Sequence, residues 1–328
     1  MSCNFFNRFF KKFKQKLKLF CFTLISLPLV PPEKLCLRKY KGQTIQYSPI
    51  FIIGAPRVGS TIFYEYFTNY FNVSYINNLM DNLHQVLFSA SILSEILFKN
   101  KPHDCFESSF GDTQGMNAPS ESGDFWYRWL PRERHFVDFD EVGEKHKQEI
   151  GQILTAITNK FNRPLVFKNM NCGQRIRLLK EIFPGAFFIF IKRDPLYVAQ
   201  SIIKTRDKLY QDRNHWWSIR PKEYDELKDL DSFEQVVQQI FFIEKQIEED
   251  LKNYFSNNYH LFYYEEFCQN PEKIFDVVLQ KYQSLTNLKI EYKKKFNLPE
   301  LYLSKSNYLK DSELEKLQEV IKKVFLKG

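Results

Sequence analysis

Two short stretches of this 328-residue sequence carry residue types suited to gripping anions. The first reads Gly54-Ala55-Pro56-Arg57-Val58-Gly59-Ser60-Thr61 and joins an apolar run to a helix-like one. Backbone N–H groups of Gly59, Ser60 and Thr61 at a helix start would hold a phosphate oxygen, with the two hydroxyls as added donors. The loop departs from the pattern G-x-x-x-x-G-K-[ST] because Ser60 stands where that pattern has lysine. Without that lysine a triphosphate is poorly neutralised, and the cation has instead moved to Arg57. Taken alone, the loop also fits a tight structural turn.

The second stretch, Phe188 to Ser201, ends a strand-like run at Lys192-Arg193 and starts a helix at Pro195. That helix carries Ser201 eight residues after Arg193, so a cation and a hydroxyl are placed to hold a second phosphate. Lys168 closes another apolar run, at the rim where open parallel sheets bind ligands. Two carboxylates compete for proton transfer: Glu65, and Glu121 in Pro119-Ser120-Glu121, with Asp124 and His84 behind them. Each candidate has a plain structural alternative, namely a surface salt bridge for Arg57, an ion pair for Lys168 and a solvated helix carboxylate for Glu65.

These residues need a scaffold, and the hydrophobic pattern supplies one. Strand-like runs fall at Ile50–Ile53, Leu165–Phe167, Phe187–Ile191 and Tyr259–Tyr263. Each precedes helical periodicity, at Ser60–Tyr70, Gln174–Ile182, Pro195–Arg206 and Pro271–Tyr282. Such alternation predicts an α/β fold, a parallel sheet flanked by helices on both faces. Residues 72–160 read as a long insertion shaping an acceptor site, with the aromatics Phe125, Trp126, Tyr127 and Trp129 in it. Residues 207–232, with Trp216 and Trp217, read as a second excursion, and Phe233–Tyr254 as a buried helix.

The net charge of +8 is unevenly placed. Residues 1–47 hold ten Lys and Arg against the single acid Glu33, whereas residues 48–328 are nearly neutral. A broad nucleic-acid-binding face on the main domain is therefore not expected. The chain divides into a basic, apolar arm (1–47) and a main domain (48–328). In the arm, Lys11, Lys12, Lys14, Lys16 and Lys18 interleave with Phe9, Phe10, Phe13 and Leu17, and the following apolar run to Val30 is too short to span a bilayer. Residues 1–30 thus suit a membrane surface, or an amphipathic helix packed on the domain. The six cysteines show no metal-ligand spacing and read as free thiols of a reducing, cytoplasmic compartment, peripheral to a membrane if the arm binds one. No metal site is expected.

With both anion grips in view, the sequence resembles the sulfotransferases that use 3'-phosphoadenosine 5'-phosphosulfate. The resemblance rests on Pro56-Arg57-Val58-Gly59-Ser60-Thr61 for the 5'-phosphosulfate and on Arg193 with Ser201 for the 3'-phosphate. It extends to Phe167-Lys168-Asn169, Phe183-Pro184, Tyr264-Glu265-Glu266 and Asn270-Pro271-Glu272, covering roughly residues 49–285. It implies a P-loop-like fold and places Tyr264 near the adenine. The bacterial, membrane-associated and glycosaminoglycan branches are nearer than the cytosolic one, whose C-terminal Arg-Lys-Gly segment is absent. Val58, where many relatives have Ser or Gly, removes one donor.

The resemblance implies transfer of a sulfuryl group to a hydroxyl or amine of a carbohydrate, glycolipid or other small acceptor. Arg57 would steady the leaving phosphate, Lys168 would touch sulfate or acceptor, and Glu65, at a spacing used in the glycosaminoglycan branch, or Glu121 would be the base. Two other readings stay open at this point: a P-loop kinase or nucleotide hydrolase, and a catalytically silent relative that tethers a partner to a membrane.

Overall fold

The run Ile50-Phe51-Ile52-Ile53-Gly54 has no charged or hydroxyl side chain, and it forms β1 (Ile50–Gly54) with every residue buried. In the computed structural model, which describes residues 22–103, 106, 108–109, 111–293, 301, 303 and 308–326, β1 is the centre of a five-stranded sheet. The other strands are β2 (Ser74–Tyr75), β3 (Leu165–Lys168), β4 (Phe187–Lys192) and β5 (Tyr259–Tyr263). Their order is β2-β3-β1-β4-β5, and every pair is parallel. Register puts Phe51 opposite both Phe167 and Phe188, and its ring stacks on theirs at 5.4 and 5.5 Å. A fully buried phenylalanine contributes about 1.5–3 kcal/mol, so this aromatic row anchors the sheet's middle.

The helices are α1 (Val30–Leu37), α2 (Ser60–Tyr70), α3 (Leu87–Phe98), α4 (Glu144–Phe161), α5 (Ile176–Ile182), α6 (Pro195–Tyr210), α7 (Ser232–Tyr254), α8 (Tyr264–Gln269), α9 (Pro271–Thr286) and α10 (Asp311–Phe325), with shorter turns between them. On one face, Phe63 of α2 meets Phe262 of β5 and Phe275 of α9 at 5.1 and 5.4 Å. On the other, Phe188 packs on Phe255 at the end of α7. The sheet is thus covered on both faces, as the alternation of apolar runs predicts. The strands' carboxyl ends share one rim; from β1 the chain runs to β2 on one side, and from the neighbouring β4 it runs to β5 on the other. Such a switch point opens a crevice.

Two boundaries differ from the sequence reading. The stretch 72–160 is more than an insertion, because it supplies β2 and α4. A two-residue edge strand is too short to leave a period in the sequence. Residues of the expected arm also join the folded body: Leu37 and Tyr40 are buried, and the Glu33 carboxylate accepts from the backbone N–H groups of Phe88 (2.8 Å) and Ser89 (2.9 Å) at the start of α3. A carboxylate there satisfies orphan donors and complements the helix dipole. The Lys- and Phe-rich stretch Phe5–Lys18 lies outside the described residues.

Candidate active site

The first loop turns at the end of β1 through two unusual backbone conformations. Gly59 has φ 88° and immediately precedes α2, whose first intrahelical bond runs from Phe63 N–H to the Gly59 carbonyl at 3.2 Å. The N–H groups of Ser60, Thr61 and Ile62 therefore have no carbonyl within the helix to bond. Arg57 has φ 69°, a left-handed conformation that costs a non-glycine residue about 1–2 kcal/mol. Strain of this kind persists where neighbours hold it, and here Arg193 Nη1 donates to the Arg57 carbonyl at 3.4 Å.

The same neighbours orient the Arg57 side chain. Its Nε donates to Ser201 Oγ on α6 at 2.9 Å, joining two segments 144 residues apart. Burial, and then the charge of Arg193, lower the Arg57 guanidinium below its ordinary value. Two like charges are thus held together beside the open helix start, an arrangement that an anion stabilises. Arg193 in turn lies over the ring of Tyr264, its guanidinium carbon 5.0 Å from the centroid.

Across the cavity Lys168, at the end of β3, is 2% exposed. Its Nζ donates to Thr61 Oγ1 at 2.8 Å and makes a short ion pair with Glu121. Asn169 fixes the same turn by donating from Nδ2 to the Glu121 carbonyl at 2.9 Å. Glu65, one helical turn after Thr61, is 1% exposed, and its Oε1 accepts no hydrogen bond among the described residues. Burial pushes its carboxyl up to about 7 against the opposing pull of Lys168.

These groups surround a cavity of about 240 Å³ lined by Arg57, Gly59, Ser60, Thr61, Lys168 and Arg193, among others. Glu121 lines it as well, and Glu65 does not. The structure therefore brings Arg57, Arg193, Ser201 and Tyr264 to one side of the crevice and Lys168, Thr61 and Glu121 to the other. Asp124 pairs with Arg132, and His84 is buried with its ring Nδ1 against the Asp81 carbonyl at 3.0 Å.

One wall escaped the sequence reading. Trp217, Ser218 and Ile219 close the cavity from the excursion that follows α6. They are held from behind by Gln239 of α7, whose Nε2 donates to the carbonyls of Trp217 (3.0 Å) and Ile219 (2.7 Å). Arg206 braces the same excursion by donating from Nη1 to the Arg213 carbonyl at 2.9 Å. The available signal was Gln235 and Gln239, one turn apart beside an otherwise apolar helix stripe, because amides in such a stripe need partners. Among the described residues no group of His, Cys, Asp and Glu side chains is placed to hold a metal ion.

Comparison with known proteins adds an independent line. A profile described as the sulfotransferase family matches residues 49–282. Omega-hydroxy-beta-dihydromenaquinone-9 sulfotransferase Stf3 of Mycobacterium bovis is 24% identical over 196 residues, 53% of this chain and 49% of that protein. The Stf3 protein of Mycobacterium tuberculosis matches to the same extent. The chain thus spans about half the length of these curated relatives. Among solved structures, sulfotransferase STF1 of Mycobacterium tuberculosis superposes with TM-score 0.47 at 11% identity, covering 87% of this chain and 78% of that one. Sulfotransferase STF9 of Mycobacterium avium gives TM-score 0.47 at 12% identity, covering 76% and 69%. With the family profile spanning both the glycine loop and the Arg193–Ser201 segment, this chain belongs to the sulfotransferase family.

Proposed function

We propose that this protein transfers a sulfuryl group from 3'-phosphoadenosine 5'-phosphosulfate to a hydroxyl of a small acceptor. The observation that carries the reading is the 2.9 Å bond from Arg57 to Ser201, which joins the two anion grips into one continuous wall. A donor with phosphates at both ends of an adenosine suits such a wall, whereas a triphosphate would lack the loop lysine that Ser60 replaces.

In the reaction the acceptor oxygen forms a bond to sulfur, the bond from sulfur to the phosphate oxygen breaks, and the acceptor proton is lost. The helix-start N–H groups with Ser60 and Thr61 hold the 5' end, and Arg57 stabilises charge gathering on the leaving oxygen. Arg193 and Ser201 hold the 3'-phosphate, and Tyr264 lies beside the adenine. Glu121 reaches the cavity as an acceptor-facing carboxylate and is our choice for the base; Lys168 keeps it in place and can also meet the transferred group. Glu65, outside the cavity lining, faces the Lys168 charge rather than the acceptor.

The acceptor class we favour is a lipid-borne or glycolipid alcohol, because the matched Stf3 proteins are named for a hydroxylated menaquinone. Such an acceptor would meet the protein at a membrane surface, on the cytoplasmic side that the free thiols Cys36, Cys172 and Cys268 suit. The deciding experiment is turnover of a sulfate-labelled donor with hydroxylated isoprenoid quinones, glycolipids and free sugars, alongside calorimetry with adenosine 3',5'-bisphosphate and with Mg-ATP. Tight bisphosphate binding with labelled lipid product is expected. Mg-ATP hydrolysis without bisphosphate binding would overturn the reading in favour of a kinase or hydrolase, and binding without any product in favour of a silent relative.

A further inference from the structure

Exposed apolar side chains are unevenly spread over this molecule. Of fifteen large apolar side chains exposed among the described residues, eight lie in residues 24–35 and 93–97. Single exposed leucines are ordinary on protein surfaces, but a concentration of this kind marks a contact face.

The two stretches adjoin through a specific contact. Glu33 of α1 holds the backbone and hydroxyl of Ser89 in the first turn of α3. On a helix of 3.6 residues per turn, Ser89, Leu93, Ile96 and Leu97 fall within about 100° of one another. The stripe of Leu93, Ile96 and Leu97 therefore runs on from the point where α1 is seated. Ile96 is 66% exposed and Leu97 57%, and on the neighbouring segment Ile25 is 60% and Leu35 63%. Helix α3 has apolar residues around its whole circumference, yet only Leu87, Phe88, Ala90 and Ser91 are buried, where it packs against α1, α4 and the short turns before it.

What covers the other side is indicated by the chain that enters it. Residues 1–21 carry six Lys and Arg, no acid, and seven phenylalanines or leucines from Phe5 to Phe20 besides Leu19 and Cys21. They lead directly into this face at Phe22. Two copies of the chain joined here would bring two strongly basic segments together, a repulsion that disfavours a homodimer. An anionic lipid surface offers what both features need, negative headgroups for the basic segment and acyl chains for the apolar stripe. No described helix is long and apolar enough to cross a membrane.

We propose that residues 22–37 and the Leu93-Ile96-Leu97 stripe of α3 form a docking face that seats the protein on an anionic membrane, with the basic residues of 1–21 bound to its headgroups. This goes beyond the reaction itself, and beyond the N-terminal segment that the sequence marks, by adding a stripe of the folded domain. It can stand or fall whatever the transfer assay shows.

The test is flotation of the full chain with vesicles of phosphatidylcholine alone and with phosphatidylserine added. Wild type should float with the anionic vesicles only. The variant Leu93→Ser/Ile96→Ser/Leu97→Ser should partition about tenfold or more weakly, with an unchanged thermal midpoint as evidence of folding. A second variant, Ile25→Ser/Leu27→Ser, should do the same and serves if the first melts early. Flotation of both variants at the wild-type level would overturn the proposal, as would absence of wild-type flotation. So would sedimentation showing a wild-type dimer that these substitutions dissociate, which would assign the face to a second copy.

Discussion

The ring of Tyr264 stands where a side chain on Gly59 would have to go. A Cβ built on Gly59 would lie 2.3 Å from two of its ring carbons. Ring and loop are therefore packed backbone to face, and Arg193 covers the ring from its own side.

Gly59→Ala should break this packing twice, through the left-handed φ of 88° and through the collision with Tyr264. We expect adenosine 3',5'-bisphosphate binding to weaken about tenfold or more, since the backbone penalty alone is about 1–2 kcal/mol. Calorimetry reads this directly. The two substitutions should also be non-additive: Gly59→Ala in a Tyr264→Ala background should lose less than in wild type. Full additivity would mean that loop and ring act independently.

Arg193→Gln separates ligand binding from stability. The change removes a like charge from beside Arg57 and a donor to its carbonyl, two effects that oppose one another in the free protein. The thermal midpoint without ligand should move little. Binding of the bisphosphate should fall about tenfold to a hundredfold, the usual cost of one charged hydrogen-bonding partner, so the ligand-induced rise in midpoint should shrink. An undiminished rise would remove Arg193 from the binding wall.

The two carboxylates should respond differently. Glu121→Gln should lower turnover by about 10²–10⁴ with bisphosphate affinity retained, as for loss of a positioned base. Glu65→Gln should show its main effect in stability. Its carboxyl is raised from 4.5 to about 7 by burial, so the folded chain keeps a proton that the unfolded chain releases. The stabilisation is complete below pH 4.5 and is lost as pH rises through about 7. Urea unfolding should therefore find Glu65→Gln equal to wild type at the acidic end and more stable well above pH 7, by up to about 3 kcal/mol. Turnover falling as far in Glu65→Gln as in Glu121→Gln would instead make Glu65 the base.

The glycine loop, Lys168, Arg193 and Ser201 could be found in the sequence because each follows an apolar run long enough to mark a strand or its helix. Parallel topology then places every such run's end at one rim, so spacing along the chain became proximity in space. What stayed hidden lacked that kind of marker. Strand β2 has two residues, and Trp217–Ile219 has neither period nor glycine; its position depends on donors from α7, a long-range contact that no local pattern encodes. Equally invisible was which carboxylate borders the cavity, since helix spacing fixes the direction of Glu65 but not that Glu121 lines the cavity and Glu65 does not.

Gln239 offers the sharpest test of that hidden wall. It is fully buried, and its amide donates to two carbonyls that bracket Ser218, a residue at φ 72° on the cavity edge. Leucine fills nearly the same volume without donating or accepting, so Gln239→Leu should take the amide donor from the Trp217 carbonyl and the amide acceptor from the buried Arg206 Nη2, while Ile219 keeps the Trp216 indole donor, and should cost about 1–3 kcal/mol of stability. A purely structural role would stop there. If the excursion shapes the donor site, the variant measured far below its melting temperature should also show a several-fold higher KM for the donor with kcat within about twofold of wild type, because uniform binding is lost and the reacting groups are untouched. An unchanged KM in a folded variant would show that Trp217–Ile219 merely borders the cavity.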